Sequence, residues 1–440
     1  MQGTSSNSTR SSTLSFKFQS NLLSKTDLMR SICILTQSFY EFDARVRRKA
    51  EALAAAGYSV DALALATPNG RKTYTLNGVK VRTISLAKKR GSLFRYFFEY
   101  TAFFFWAFVR VFLQMRQRRY AVIDVNTLPD FLIFAAAPAR WMGAKLILDM
   151  HEITPEFYIS KYRTSENSWL IRLVKYLEKI SFQYADHVIT INEPICDLLV
   201  RRGLSPSKSI VVMNSASEER FASIGPGPGA KGHSDSFVIM YHGTLTQIYG
   251  LDIAIKAFGM AQAEMPGAEL WILGATVSKS EQDPLARLVH EYGLTAKVKL
   301  FELVPSAEIP AWLNKCDVGI LPLRGGVFFD FAFPNKLPEF VIMGKPVLMS
   351  RVKTIRYYFS EEALAYFDPN DPADLAQQMI RLYGDRSLCA RLAARAKEEY
   401  TPIRWDVMKQ RYLNLVGGLS DSGDCATEGP YLSETTILNG

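Results

Sequence analysis

Cysteine is scarce and scattered in this chain. There are five, Cys33, Cys196, Cys316, Cys389 and Cys425, with no CxxC pair and no histidine at metal-ligand spacing. An odd, dispersed set argues against a disulfide framework or a zinc site and for a reducing compartment. No G-x-G-x-x-G follows the first strand of either half, which argues against a nicotinamide dehydrogenase. A long apolar run is also missing. The most aromatic block, 93–113, is broken by Arg95, Glu99 and Arg110, and its uncharged core, 100–109, is ten residues. A membrane-spanning helix needs ~20. Residues 1–27, rich in Ser, Thr and Asn, hold no apolar targeting segment and read as a disordered extension.

What is present is the composition of a soluble globular protein: 440 residues, 48% hydrophobic and 22% charged. That length suits two cores better than one. The net charge of +9 is unevenly placed. Between Arg71 and Arg119 stand twelve Lys or Arg against one acid, Glu99, so this stretch carries +11 and the remainder −2. Within it, residues 93–112 hold eleven aromatics among twenty. Aromatic bulk flanked by cations, from Lys88 to Arg119, is the pattern of an interfacial helix on anionic lipid. Burial under a sheet and contact with single-stranded nucleic acid are the competing readings. So dense an aromatic run fits lipid better, and no nucleic-acid partner is expected.

Two successive sets of short apolar strands alternating with helices run along the chain. In the first, strands are expected at 31–36, 59–65, 121–125, 145–150, 187–191 and 209–213, with helices at 44–56, 130–142, 168–184 and 193–202. In the second, strands are expected at 237–242, 268–273, 297–301, 317–321 and 346–349. Its helices are expected at 251–264, 307–314, 335–343, 371–382, 386–399 and 405–415. Buried strands alternating with helices imply parallel sheets covered on both faces. The Gly-Pro-Gly-Pro-Gly run at 225–229 reads as a linker, because its prolines remove the N–H donors a phosphate loop needs. The expected organisation is a first domain at 28–220, a linker at 221–235, a second domain at 236–400, a final helix at 401–417 and a disordered tail at 418–440. Two open α/β domains place a cleft at the facing carboxyl ends of their strands.

Four stretches near that cleft carry candidate chemistry. Phe-Pro-Asn-Lys-Leu-Pro-Glu-Phe at 333–340 opens a short helix, and Gly344 and Pro346 lead to a strand. Lys336 at a helix N-terminus suits a phosphate, and Glu339 suits a vicinal diol, although an acid in a first helical turn is also explained by the dipole. Tyr-His-Gly-Thr-Leu-Thr at 241–246 ends a strand, where Gly243 permits close backbone approach and Thr244 offers a hydroxyl. An ordinary strand-to-helix loop reads the same way. Asp149, His151, Glu152 and Glu156 follow another strand. His151 is singled out there, and His187, His233 and His290 read as structural; the acids lack metal-site spacing. Asp43 is a natural N-cap two residues before Arg45.

In these blocks the chain resembles family 4 of the nucleotide-sugar glycosyltransferases. The Pro-x-Lys-x-x-Glu-Phe and Gly-x-Pro-Val of 334–347, the Gly-Thr-Leu-Thr then Tyr-Gly-Leu-Asp of 243–252, and the Asp-x-His-Glu-x-x-Pro-Glu of 149–156 occur in the family's order. The resemblance implies an α/β GT-B architecture, two Rossmann-like doubly wound domains facing a cleft, with the acceptor in the first and the donor in the second. The last helix of such folds returns to brace the first domain. Lys336, Gly243 and Thr244 are implied at the donor diphosphate, Glu339 at the ribose, and His151 at the sugar and leaving group, with Asp43, Arg45 and Asp330 on the cleft wall. The chain departs from the pattern twice. The phosphate loop has Ile248 and Tyr249 and no cation, and the family's sugar-facing acid falls on Phe331, with Asp330 one residue off. The implied activity is retaining hexosyl transfer from a nucleotide-diphosphate sugar to a hydroxyl, needing no cofactor and no metal. The basic aromatic face points to a lipid-linked or polysaccharide acceptor and to a peripheral place on the cytoplasmic side of a membrane. A decayed, non-catalytic scaffold and a nucleotide-sugar epimerase on the same fold are the alternatives.

Overall fold

The computed structural model describes residues 31–68, 70–86, 93–162, 164–222, 236–246, 249–276 and 279–421. The extension at 1–27, the linker beyond Ala222, Lys88 to Arg90 and the tail beyond Asp421 lie outside the described residues.

Apolar strands with both faces buried organise each half. The first half contributes β1 (Ser31–Phe39), β2 (Ser59–Leu65), β3 (Thr73–Leu76), β4 (Val79–Ile84), β5 (Val122–Asn126), β6 (Lys145–Met150), β7 (His187–Thr190) and β8 (Ser209–Val211), in the order β3-β4-β2-β1-β5-β6-β7-β8. All neighbours are parallel except β3 and β4. Along β1, Ile32 and Ile34 enter one core and Cys33 and Leu35 the other. That is why the strand reads as a continuous apolar run without alternation. The second half contributes β9 (Phe237–Leu245), β10 (Ala268–Thr276), β11 (Val298–Phe301), β12 (Val318–Leu321), β13 (Val347–Ser350) and β14 (Ala365–Phe367), ordered β11-β10-β9-β12-β13-β14 and wholly parallel. The chain is thus an α/β protein of two doubly wound sheets. The described cysteines, Cys33, Cys196, Cys316 and Cys389, are free thiols.

Several elements differ from expectation, each for a local reason. The β3–β4 hairpin was not foreseen, yet Asn77-Gly78 at its turn, both with positive φ, is the dipeptide a two-residue hairpin favours. The helix expected at 130–142 divides into a 3-10 segment, Asp130–Ala136, and a short α-helix, Ala137–Trp141. Pro138 stands at the start of the second piece, where a missing N–H costs least. Helices Thr154–Tyr162 and Lys279–Glu291 also went unread; the second contains Pro284.

The aromatic block is one helix, Leu93–Gln117, laid on the first sheet. Phe103, Ala107, Val111 and Met115, spaced by four, are buried in the core beneath. Phe98, Phe105, Val109, Phe112 and Leu113 face outward, Phe98 at 68% exposure and Phe105 at 61%. Burial therefore explains one face of this helix and leaves the other apolar and largely exposed. No helix among the described residues is long and apolar enough to cross a membrane.

The final helix, Trp405–Asp421, runs on past residue 417, where the tail was set, and lies against the first domain. Trp405, Met408, Tyr412 and Val416 are buried. The Tyr412 hydroxyl donates to Asp124 Oδ2 on β5 at 2.6 Å, and Arg411 donates to the Val211 carbonyl on β8 at 2.9 Å.

Opposite faces of the aromatic helix should respond differently to truncation. Phe103→Ala is expected to lower unfolding free energy by ~3–5 kcal/mol, the usual cost of emptying a buried phenylalanine site. Phe105→Ala should stay within about 0.5 kcal/mol of the parent. Chemical denaturation of both variants checks this, and equal losses would place both rings in the core.

Candidate functional site

Ligands of doubly wound sheets bind where strand order reverses, at the carboxyl ends of the strands. In the first sheet β1 lies between β2 and β5, and in the second β9 lies between β10 and β12. The singled-out residues gather at these two places.

On the first side, a cavity of about 160 Å³ opens beyond β1 and β5. Asp43, Arg45, His151 and Glu152 line it, joined by Glu99 and Tyr100 from the aromatic helix. Asp43 caps the Ala44–Ala55 helix through the Arg45 N–H and holds the Arg45 guanidinium with two hydrogen bonds of 3.2 and 3.3 Å. Burial alone would raise the Asp43 carboxyl, but the Arg45 charge and hydrogen bonds outweigh it and hold it below its ordinary value. His151 is 4% exposed. Its Nε2 stands 2.8 Å from Asn126 Oδ1 and 3.4 Å from Asp149 Oδ2. Burial, with Arg45 and Lys49 adding to it, holds the imidazole well below its ordinary pKa, so the ring is neutral.

On the second side, Gly243 adopts φ +127 at the end of β9. A methyl group there would lie 2.0 Å from Lys336 Cε, so glycine is what lets the lysine stem cross the strand end. Lys336 heads a seven-residue helix, Lys336–Ile342, and its Nζ rests 4.9 Å from the Tyr249 ring centroid. Burial lowers its pKa, opposed by Glu339. Glu339, one turn on, is raised by burial, opposed by Arg220, Lys336 and Arg48. Thr244 is exposed, and its carbonyl accepts from the Tyr241 hydroxyl at 2.8 Å.

The two sides meet. Asn192 Nδ2 donates to the Phe331 carbonyl at 3.0 Å, and the Glu193 N–H donates to the Tyr358 hydroxyl at 2.8 Å. The Phe331 ring packs on the core of the first domain. The position where the family pattern has an acid thus serves here as an apolar contact between domains. Asp330 beside it accepts, through its carbonyl, the Thr354 hydroxyl at 2.7 Å. The charges that bear on Glu339 from outside its own helix come from Arg220 and Arg48, which partly answers the absence of a cation in the 243–252 loop.

Sequence reasoning passed over several groups. His242 also sits near a strand's carboxyl end, with Nε2 3.4 Å from Glu339 Oε2, so His151 is not alone among the histidines in this placement. Burial, then the Lys336 and Arg220 charges, hold His242 down to about 3. Lys49, Asp124 and Tyr412 come together beneath His151 from three distant segments. A larger cavity of about 640 Å³ lies away from the cleft, among Arg351, Arg391 and Arg395. It holds none of the singled-out residues, and Arg351 and Arg395 are already paired with Glu361, Asp368, Glu398 and Glu399. Among the described residues no group of three His, Cys, Asp or Glu is arranged to hold a metal ion.

Behind the first pocket, Glu156 and Glu178 share Arg202, whose Nη1 lies 3.1 and 3.5 Å from them, and Asp130 accepts the Thr154 hydroxyl at 2.9 Å. Burial pushes Asp130 up to about 7. Burial, with Asp130 next, pushes Glu178 up to about 8. Both folded values exceed the ordinary carboxylate range, so between roughly pH 4 and pH 8 these two groups bind more protons in the folded state than in the unfolded one. The stability from these groups is present at low pH and lost as pH rises through their folded values. Their contribution to the thermal midpoint should therefore fall between about pH 5.5 and about pH 8.5, against the opposite contribution that neutral His151 and His242 make below about pH 6.5. Asp130→Asn and Glu178→Gln should flatten that fall, and variants as steep as the parent would contradict it.

Comparison with known proteins bears on the family and the fold. Residues 43–215 match the family model of a glycosyl transferase 4-like domain, and residues 236–385 match that of glycosyl transferases group 1. A probable glycosyltransferase, WbjE of Pseudomonas aeruginosa, is 24% identical over 273 residues, covering 60% of this chain and 66% of that protein. A D-inositol 3-phosphate glycosyltransferase of Paenarthrobacter aurescens is 27% identical over 192 residues, covering 42% of this chain and 46% of its own length. The chain thus spans from about half to just under two thirds of these relatives. Among solved structures, sucrose-phosphate synthase from Thermosynechococcus elongatus superposes with a TM-score of 0.70 at 19% identity, over 89% of this chain and 99% of that one. Alr3699/HepE of Anabaena, in complex with UDP, gives 0.64 at 16% identity over 88% of this chain and 100% of its own. At these identities the structures speak for the fold, and the two family models together take in most of both sheets. The chain belongs to the family 4 glycosyltransferases and has their GT-B fold of two facing Rossmann-like domains.

Proposed function

We propose that the protein transfers a sugar from a nucleotide-diphosphate donor to a hydroxyl of a membrane-associated acceptor, lipid-linked or a growing polysaccharide, with retention of configuration. The observation that carries this is the convergence of Lys336, seated over Gly243, with Glu339 at the reversal point of the second sheet, opposite the His151 pocket of the first. Solved relatives in complex with UDP and with UDP-glucose, both of Alr3699/HepE, favour a nucleotide-sugar donor.

As the sugar–phosphate bond breaks, negative charge grows on the diphosphate and positive charge on the ring. Fixed cations and N–H groups aimed at the leaving group lower that barrier. Lys336 and the Gly243 and Thr244 backbone take the diphosphate, Glu339 takes the ribose hydroxyls, and His151 stands beside the sugar. The acceptor oxygen attacks from the face the diphosphate leaves, and its proton passes to the departing phosphate oxygen. The reaction is proposed to need no cofactor and no metal.

The membrane part of the proposal rests on the outward face of the aromatic helix. That helix packs beside Ala137–Trp141, with Phe108 and Trp141 edge-to-face at 6.3 Å, and the Trp169–Tyr184 helix packs on the neighbouring 3-10 segment. Phe105, Phe112, Trp141 and Trp169 are exposed on these helices, with Arg116, Arg119, Arg172 and Lys179 exposed around them. Aromatic rings with cations on one face suit an anionic lipid surface at the cytoplasmic side of a membrane. Glu99 and Tyr100 of the same helix line the first pocket, so an acceptor held at that surface reaches the cleft without leaving it.

Thermal unfolding with UDP, GDP, ADP and their sugars, with and without chelator, tests the donor site. A nucleotide at 100 times its dissociation constant should add ~2.7 kcal/mol, and Lys336→Ala and Glu339→Ala should each lose most of it. Unchanged shifts in both variants would sink the assignment. Sedimentation with vesicles containing phosphatidylserine tests the surface. Binding should weaken with salt and drop on the combined Phe105→Ser, Phe112→Ser and Trp141→Ser change. Equal binding to neutral vesicles, or none to either, would refute the membrane role.

A further inference from the structure

Beneath the first pocket lies a buried polar array that the proposed chemistry does not use. Lys49, 4% exposed, reaches in from the Ala44–Ala55 helix. Its Nζ pairs with the Asp149 carboxylate, lies 3.8 Å from Asp124 Oδ2 and 3.4 Å from Asn126 Oδ1, and faces the Tyr412 ring at 5.5 Å. Tyr412 in turn donates to Asp124. Asp124 and Asp149 are buried to within 1%. Two carboxylates and one ammonium out of water are costly, so the arrangement calls for a reason beyond stability.

The Asn126 amide supplies it. Its Nδ2 reaches two acceptors, the Leu35 carbonyl at 3.4 Å and Asp124 Oδ1 at 3.3 Å. Its Oδ1 therefore faces two donors, Lys49 Nζ and His151 Nε2. In a neutral ring the proton must then sit on Nε2, which also suits Asp149 Oδ2 at 3.4 Å. That leaves Nδ1 an acceptor, buried and without a hydrogen-bond partner among the described residues. An unpaired buried acceptor in the wall of a pocket is most cheaply satisfied by a ligand donor.

We propose that Lys49, Asn126 and Asp149 hold His151 as the neutral Nε2–H tautomer, so that Nδ1 accepts a hydrogen bond from a ligand hydroxyl in the cleft, and that Tyr412 of the C-terminal helix steadies this array through Asp124. The hydroxyl is one of the transferred sugar, a point that rests on the function proposed above. Lys49, Asn126 and Tyr412 are positioning residues. Lys49 is the one that touches both buried carboxylates, and without its charge they would face His151 uncompensated and draw a second proton onto the ring. Of the other charged groups around the ring, Arg45 also disfavours its protonation, and more than Lys49 does, while Asp43, which pairs with Arg45, and Glu99 and Glu152 across the pocket are acids. The C-terminal helix, which leaves the second domain, thereby holds part of the sugar site in the first.

Nitrogen-15 NMR of the full chain labelled at histidine reads the tautomer directly, with His151→Gln giving the assignment. The expected spectrum has His151 protonated on Nε2 and bare on Nδ1, still neutral at about pH 6.5 where an ordinary histidine is half protonated. Lys49→Met should move its titration toward or above neutral pH, Lys49→Arg should restore the neutral ring, and Tyr412→Phe should shift it the same way by less. Asn126→Asp, which puts a carboxylate against Nε2, should also make the ring cationic and serves if Lys49→Met does not fold. A Nδ1–H tautomer or an imidazolium in the parent, or titrations unmoved in folded variants, would overturn the proposal. The measurement needs no donor or acceptor, so its failure is distinguishable from failure of the transferase reading.

Discussion

A single buried lysine organises the floor of the cleft. Lys49 stands between Asp124 of β5 and Asp149 of β6, beneath the ring of Tyr412. Neither carboxylate is tolerable there alone, since removing one partner of a buried pair leaves an uncompensated charge. The first helix, the two central strands and the last helix are therefore obliged to meet at one point. His151, hydrogen-bonded to Asn126 in the same array, inherits its position from that obligation.

The second half of the cleft depends on an absence. Gly243 has no side chain, and the space a Cβ would take is filled by Lys336. Lys336 is fixed from below by backbone and from the side by the Tyr249 ring, and its pKa is lowered chiefly by burial. A cation already held in place loses little freedom when an anion arrives, which is the physical content of preorganisation. Phe331 joins the domains by apolar contact where the family pattern has an acid, so packing and not a carboxylate fills that place.

The aromatic helix shows why opposed readings of one segment need not exclude each other. Its residues at intervals of four are buried, Phe104, Trp106 and Phe108 are partly buried beside them, and Phe105, Val109, Phe112 and Leu113 are exposed. A helix apolar all round normally lies inside a core; this one covers a sheet with one face and presents phenylalanines outward with the other. Its Glu99 and Tyr100 reach the pocket as well, so one element shapes the core, the surface and the site.

Strand and helix alternation, the two-sheet plan and the placement of Lys336, Glu339 and His151 at element ends were legible because they depend on local pattern: continuous apolar runs, helix-ending glycines, and polar residues at the ends of elements. The β3–β4 hairpin carried a local signal too, in Asn77-Gly78. What the sequence could not reveal are the groups brought together across long separations. Lys49, Asp124, Asp149 and Tyr412 carry no motif, and their meeting is a result of strand order and of the last helix returning to the first domain. His242 read as strand until β9 set it beside Glu339. By itself the sequence determined most of the buried strands, most of the longer helices and the short motifs at their ends, since periodicity and turn chemistry act within a few residues. Only the tertiary structure decided which charges are paired, which histidine nitrogen is left without a partner and which aromatic face stays bare, because each depends on what distant parts of the chain exclude from water.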